Sequence, residues 1–275
     1  MPSLDSIVSA TRQRVARERR TADVRAWERK AAEHKPRGMR THLQSAARSG
    51  IAIIAELKKA SPSKGLIRAD FHPGELAKDL EQAGAAALSV LTDEEFFQGS
   101  LENLQRASME TRLPCLRKDF IVDELQILEA RAHRADAILL IVAALDQNDL
   151  ISLAHKAQSL DLDVLCEVHD ENELQRALDA GCDLIGVNSR DLRTFHVDLA
   201  TSFRLAGKVP AGCLRVAESG IHSGEDIARL RSAGYEAFLI GESLMREENP
   251  GKALRNLLES AAPVEHRSRP VARSS

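Results

Sequence analysis

After Ile51 the chain repeats one short theme eight times, and that repetition limits the possible folds more than any composition figure. Apolar runs recur near 51–55, 85–91, 113–116, 137–145, 162–166, 184–187, 213–217 and 237–240. Between them lie amphipathic stretches such as PGELAKDLEQAGA, ELQILEARAHRA, DLISLAHKAQSL, ENELQRALDAG and SGEDIARLRSAG. Several of these end in Ala-Gly or Gly, as helix C-termini do, just before the next apolar run. Short apolar runs read as strands buried on both faces, and strands alternating with helices form a parallel sheet. Eight such units in about 210 residues predict a closed (β/α)8 TIM barrel. A doubly wound open sheet is the alternative, disfavoured because no G-x-G-x-x-G follows the first run.

Residues 1–48 are charged and helix-favouring, and they read as an N-terminal helical extension packed on the main domain. Leu4, Ile7 and Val8 have the i, i+3, i+4 spacing of one apolar helix stripe. The arginines at 12, 14, 17, 19 and 20 are interleaved with acids, which favours a solvated helix face over a basic binding arm. Residues 49–262 are assigned to the barrel. The segment 263–275, PVARSS included, has little apolar content and is expected to be a disordered tail.

The net charge of −3 gives no electrostatic case for a nucleic-acid partner. No apolar stretch approaches the roughly 20 residues of a membrane span. No signal-peptide core is present, and Asp5, Glu18, Asp23 and Glu28 are out of place in a transit peptide. Cys115, Cys166, Cys182 and Cys213 lie far apart in sequence, three of them in apolar runs, which reads as buried reduced thiols in a cytoplasmic protein. No C-x-x-C or H-E-x-x-H spacing occurs, so no metal site is expected.

The chemistry concentrates where the apolar runs end, because catalytic groups of such barrels come from the C-terminal strand ends and the loops after them. The first run continues as IAIIAELKKASPSKG and turns polar at Glu56. Side chains alternate along a strand, so Glu56 and Lys58 point the same way and form a candidate acid/base pair. The segment Ser61-Pro62-Ser63-Lys64-Gly65 supplies hydroxyls, backbone N–H groups and a tight turn suited to phosphate. The second run leads to LTDEEFFQGS, where Phe96 and Phe97 stand in a polar loop. The third ends at Lys118, the fifth at Glu167, the sixth at Asn188 before Ser189 and Arg190, the seventh at Glu218-Ser219-Gly220 and the eighth at Gly241-Glu242-Ser243. Any one of these polar residues can simply begin a loop. Together they bring two lysines and three glutamates to one apolar mouth, a costly arrangement unless the charges pair and act. The glycine-containing loops after the seventh and eighth runs occupy the usual phosphate position. A phosphorylated small molecule handled by lysine and glutamate acid/base chemistry, without metal, is the expected substrate.

At these residues the sequence resembles a known family. IAELKKASPSKG, LRKDFIVDELQILEARAHRADAILLI, CEVHD, GVNSRDL, VAESGI and FLIGESLM resemble, in order, the strand-end motifs of the indole-3-glycerol phosphate synthases. The resemblance implies a carboxy-lyase of tryptophan biosynthesis. Its reaction is ring closure of 1-(2-carboxyphenylamino)-1-deoxyribulose 5-phosphate, with loss of CO2 and water, to indole-3-glycerol phosphate. It implies Lys118 as general acid, Glu167 as general base, Lys58 on the substrate carboxylate, and Glu56 orienting both lysines by ion pairing. It further implies Asn188, Arg190 and Glu218 around the substrate and Phe97 as an aromatic wall. Ser61, Ser219, Gly220, Gly241 and position 242 fall at the phosphate site, with Ser219 also among the catalytic set. No cofactor is implied, and other tryptophan-pathway enzymes are candidate partners.

Two positions depart from the family pattern. Glu242 stands where a serine is common, and a carboxylate beside phosphate is electrostatically unfavourable unless it points away. The segment DELQ at 123–126 differs from a proline- and tyrosine-containing version. Rival readings are a phosphoribosylanthranilate isomerase-type barrel, disfavoured by Glu and Lys rather than Cys at the first strand end, a Schiff-base aldolase using Lys58 or Lys118, and a non-catalytic phospho-ligand-binding barrel.

Overall fold

The computed structural model describes residues 3–192 and 194–261; the segment expected to be a tail lies outside them. Three helices come first: α1 (Leu4–Glu18), α2 (Val24–Ala32) and α3 (Met39–Ser49). Ten strands follow: β1 (Ala52–Leu57), β2 (Ala60–Ser61), β3 (Gly65–Leu66), β4 (Ala87–Leu91), β5 (Cys115–Lys118), β6 (Ala137–Ile141), β7 (Asp163–Val168), β8 (Leu184–Asn188), β9 (Leu214–Glu218) and β10 (Ala237–Ile240). Eight of them close into a parallel barrel in the order β1-β10-β9-β8-β7-β6-β5-β4, with helices between successive strands. The TIM-barrel expectation is therefore met. The remaining two, β2 and β3, pair as a small antiparallel hairpin in the loop after β1, a feature the sequence reading took only as a turn.

The period of two along each strand separates two cores. Ile53, Ala55, Cys115, Ile138, Cys166, Ile185, Ala217 and Phe238 face outward and pack against the helices. Ala52, Ile54, Leu116, Leu139, Leu165, Leu184, Val216 and Leu239 face inward and fill the barrel. Met39 and Leu43 of α3, both fully buried, join that inner cluster. The inward parity continues to Glu56, Lys118, Glu167, Asn188 and Glu218, so the same alternation that packs the core aims these polar groups at the mouth.

Local signals set the ends of the elements. The helices Gln147–Ser159, Glu171–Asp179 and Gly224–Ser232 start on Asp146, Asp170 and Ser223, whose side chains accept from backbone N–H groups of the first turn. Gly181 has φ +76° just after the helix ending at Asp179, a left-handed position where glycine carries no Cβ penalty. The apolar run 137–145 is longer than its strand: β6 stops at Ile141 and Val142–Ala144 form a 3-10 turn.

Two of the four cysteines meet in the fold. Cys166 on β7 and Cys182, just before β8, are brought side by side, with Cα atoms 6.5 Å apart. They are 16 residues apart in sequence, but β7 and β8 are neighbours in the barrel. Cys115 and Cys213 are free. Among the described residues no helix is long and apolar enough to cross a membrane.

Candidate active site

The barrel mouth gathers side chains from all eight barrel strands and from α1. Lys118 at the end of β5 is the hub. Its Nζ lies 2.8 Å from Oε2 of Glu167 and 3.3 Å from Oε2 of Glu218. Lys58 pairs with Glu56 at 2.5 Å. The expectation that Glu56 ion-pairs with both lysines is corrected on this point: its direct partner is Lys58, and it acts on Lys118 only through its charge. The reason is register. Glu56 sits opposite Ser89 on β4, whereas Lys118 lies opposite Leu91, further toward the mouth.

Three buried carboxyl groups facing two ammonium groups cannot all be satisfied, and the proton affinities show how the conflict resolves. Burial disfavours the charge on Lys118, yet Glu167, Glu218 and Glu56 more than offset it and raise its pKa. Burial likewise pushes Glu167 up, but Lys118, His169 and a hydrogen bond from Asn188 prevail and hold it well below the ordinary carboxylate value. Glu218 is the loser. Burial raises it, Lys118 only partly compensates, Glu167 and Glu56 repel its charge, and its pKa rises to about 7. Two carboxyls beside one lysine thus take opposite roles, one held ionised and one ready to carry a proton.

Glycines make room for these groups. At Gly186 on β8 a Cβ would collide with the Glu218 carboxylate, and at Gly241 it would lie 2.6 Å from Oε1 of Glu56. Gly241 therefore shapes the acid/base pair as well as the loop where phosphate was expected. Asn188 accepts the backbone N–H of Arg190 at 3.0 Å through Oδ1, which leaves its amide N–H groups for Glu167.

The cavity between these groups is lined by Glu56, Lys58, Ser61, Phe97, Lys118, Glu167, Asn188, Arg190, Glu218, Ser219 and Glu242, so the residues read from the sequence share one site. Gly220 and Gly241 are not among the residues that line it; each adjoins one that does, Ser219 and Glu242. Ser219 and Gly220 both have positive φ, 65° and 77°, which turns the chain sharply at the end of β9. The Ser61 hydroxyl is buried without a hydrogen-bond partner. The carboxylate of Glu242 is held by Arg246, at 3.1 Å to Nε and 2.9 Å to Nη2, along the short helix Glu242–Met245.

Some of the lining was not anticipated. Phe120 stands with Phe97, ring centroids 6.2 Å apart, and both line the cavity. Leu4 and Ile7 of α1 line the same cavity. Their stripe was visible as helical spacing, but its target was not. Arg12, Arg17, Arg19 and Arg20 are exposed, as expected of a solvated face, and Arg14 is half-buried. Arg12, Arg14 and Arg19 reach Asp149, Asp119 and Asp123 on the barrel at 3.4, 3.6 and 2.5 Å.

A family model for indole-3-glycerol phosphate synthase matches residues 4–257. The chain belongs to the indole-3-glycerol phosphate synthase family. An indole-3-glycerol phosphate synthase of Koribacter versatilis is 62% identical over 256 residues, covering 93% of this chain and 98% of the relative. One from Rhizorhabdus wittichii is 48% identical over 260 residues, covering 94% and 98%. Among solved structures, thiamine phosphate pyrophosphorylase from Pyrococcus furiosus superposes with a TM-score of 0.58 at 17% identity, over 78% of this chain and 96% of that one. A mandelate oxidase mutant superposes with a TM-score of 0.57 at 18% identity, over 77% and 71%. Those two likenesses concern the barrel alone. Family membership rests on the near full-length matches.

Proposed function

We propose that this chain is an indole-3-glycerol phosphate synthase, a carboxy-lyase that closes the indole ring of 1-(2-carboxyphenylamino)-1-deoxyribulose 5-phosphate with loss of CO2 and water. Family membership supports the reaction, and the observation that carries the mechanism is the Lys118 ammonium held between Glu167 and Glu218. The ring carbon bearing the carboxylate attacks the ribulose ketone, and negative charge develops on the ketone oxygen. Lys118, charged and aimed into the cavity, donates the proton that oxygen needs. Release of CO2 restores the aromatic ring. Water then leaves as Glu167 removes the proton on the ring nitrogen.

The pairing links these two steps. While Lys118 is charged, Glu167 is a weak base. Once Lys118 has given its proton to the ketone oxygen, Glu167 loses the ammonium paired with it and its proton affinity rises. The base therefore strengthens after the acid has acted. Lys58 holds the substrate carboxylate, and Glu56 orients Lys58. Asn188, Arg190 and Glu218 surround the reacting atoms, and Phe97 with Phe120 flanks the anthranilate ring. Ser61, Ser219 and the backbone at Gly220, Gly241 and Glu242 take the phosphate, with Arg246 drawing the Glu242 carboxylate aside. In this reading the helical extension 1–48 supplies part of the wall over the barrel 49–262, the protein works in the cytoplasm, and other tryptophan-pathway enzymes are its candidate partners.

The test is to mix the protein with the carboxyphenylamino-deoxyribulose phosphate and follow indole fluorescence. Trp27 is the single tryptophan, so the background is low. A rising signal without added metal or cofactor is expected. A flat signal with tight binding would instead favour the phospho-ligand-binding barrel.

A further inference from the structure

The motif CEVHD contains one residue that the mechanism above leaves idle. His169 follows Glu167 by two positions, so strand parity sends both side chains toward the mouth. Its ring is clamped from behind. Oε2 of Glu173, in the first turn of the helix Glu171–Asp179, accepts both the backbone N–H of His169 at 2.8 Å and its Nδ1 at 2.9 Å. With Nδ1 committed to a carboxylate, the opposite nitrogen faces inward. Nε2 lies 3.5 Å from Oε1 of Glu167, is buried and has no hydrogen-bond partner. Lys118 holds the other oxygen, Oε2, of the same carboxylate. Lys118 and His169 thus address different oxygens of Glu167.

Resting on the synthase reading, we propose that His169 is a positioning residue. Clamped by Glu173, it fixes the plane of the Glu167 carboxylate and remains as its counter-charge in the interval when Lys118 has given up its proton. His169 neither donates nor accepts a proton in the reaction. The 3.5 Å gap is longer than a hydrogen bond. It closes as Glu167, released by the discharged Lys118, turns Oε1 toward Nε2 while Oε2 meets the ring N–H.

The charge on His169 has a physical basis. Burial opposes it, but the hydrogen bond to Glu173 and the carboxylates of Glu167 and Glu218 outweigh burial and raise its pKa above the usual histidine value. The charged groups facing it are Glu167 on its own strand, Glu173 from the following helix and Glu218 from β9, with Lys118 of β5 behind Glu167. The sign follows. A cation beside Glu167 lowers its pKa, so removing that cation moves the acidic limb of the kcat profile to higher pH.

The first experiment measures kcat, KM and the pH profile of His169→Leu, His169→Gln and Glu173→Gln in the full chain. His169→Leu is expected to lose about tenfold in kcat with KM within about twofold, and its acidic limb should move upward. His169→Gln, which keeps an amide N–H near the Nε2 position but no charge, should recover part of the rate while its acidic limb stays shifted. Glu173→Gln should move the acidic limb in the same direction by less, and it carries the test if the leucine variant does not fold. A leucine variant matching wild type in both rate and profile, or a Glu173→Gln profile superposing on wild type, would overturn the proposal. A second readout is independent of turnover. The His169 imidazole midpoint, followed by NMR, should fall in Glu167→Gln and in Glu173→Gln. An unchanged midpoint in Glu167→Gln would overturn the coupling. Wild-type protein with this coupling but no turnover would refute the synthase reading and leave the His169–Glu167 contact standing.

Discussion

Lys118 keeps its charge in a buried setting because three carboxylates outweigh the cost of desolvation, and this balance dictates what its loss does. Lys118→Met should abolish turnover while leaving ligand binding largely intact, since the methionine fills similar space and removes the ammonium group that donates the proton. Measured turnover near the wild-type rate would take Lys118 out of the general-acid role. Glu167→Gln should act mainly on kcat, by about two or more orders of magnitude, because its task is proton transfer. A rise in KM alone would make Glu167 a binding residue. At position 242 the side chain matters through its tether. Arg246→Ala frees the Glu242 carboxylate beside the expected phosphate position and should raise KM about threefold with kcat little changed. Adding Glu242→Ser to that variant should restore KM. Failure of the double variant to recover would show that Arg246 does not act by holding Glu242.

At the scale of elements, the positions of the strands were legible because each barrel strand carries its own local signal, an apolar run that in most cases ends in a polar residue. The inward-facing residues followed from the period of two. What the sequence concealed is where separate elements meet. The Leu4–Ile7 stripe announces a helix but not the mouth it lines, and Cys166 and Cys182 come together only once β7 and β8 are adjacent. His169 shares parity with Glu167 and could have been found by that rule, whereas its clamp by Glu173 needs the helix in place. Another hidden junction is the linker between α2 and α3. Asp136, fully buried, accepts His34 Nε2 at 3.0 Å and the backbone N–H of Arg37 at 2.7 Å through Oδ1, and the backbone N–H of Cys115 at 2.7 Å through Oδ2. Arg37 also reaches the carbonyls of Ser108 and Leu113. One carboxylate therefore ties the linker to the start of β5. Asp136→Ala leaves these donors buried and unpaired and should cost about 3–5 kcal/mol in denaturant unfolding. A cost below about 1 kcal/mol would mean that water satisfies the donors and the tie is dispensable.

Across the whole molecule, the site trades stability for chemistry, and pH exposes the trade. Glu167 has a folded-state pKa lowered from 4.5 to about 2, so its contribution to stability is present above the unfolded value and is lost as pH falls through the folded one. Glu218 has the opposite sign. Its folded-state pKa is raised from 4.5 to about 7, so its contribution is full below the unfolded value and disappears as pH rises through about 7. Together the two carboxyls favour the fold most in mildly acid solution, and that support falls away both in strong acid, where Glu167 is protonated, and above about pH 7, where Glu218 is ionised. Glu218→Gln removes one half of that behaviour. The amide resembles the protonated acid, so the variant should match wild type near pH 4.5 and become the more stable protein as pH rises toward 8. Thermal unfolding of both proteins across that range checks the sign directly. Parallel curves would mean that Glu218 is ionised in the folded protein throughout and that Lys118 balances two full negative charges. A divergence that grows through pH 7 would place a titrating carboxyl beside the catalytic lysine, where the anionic substrate must enter.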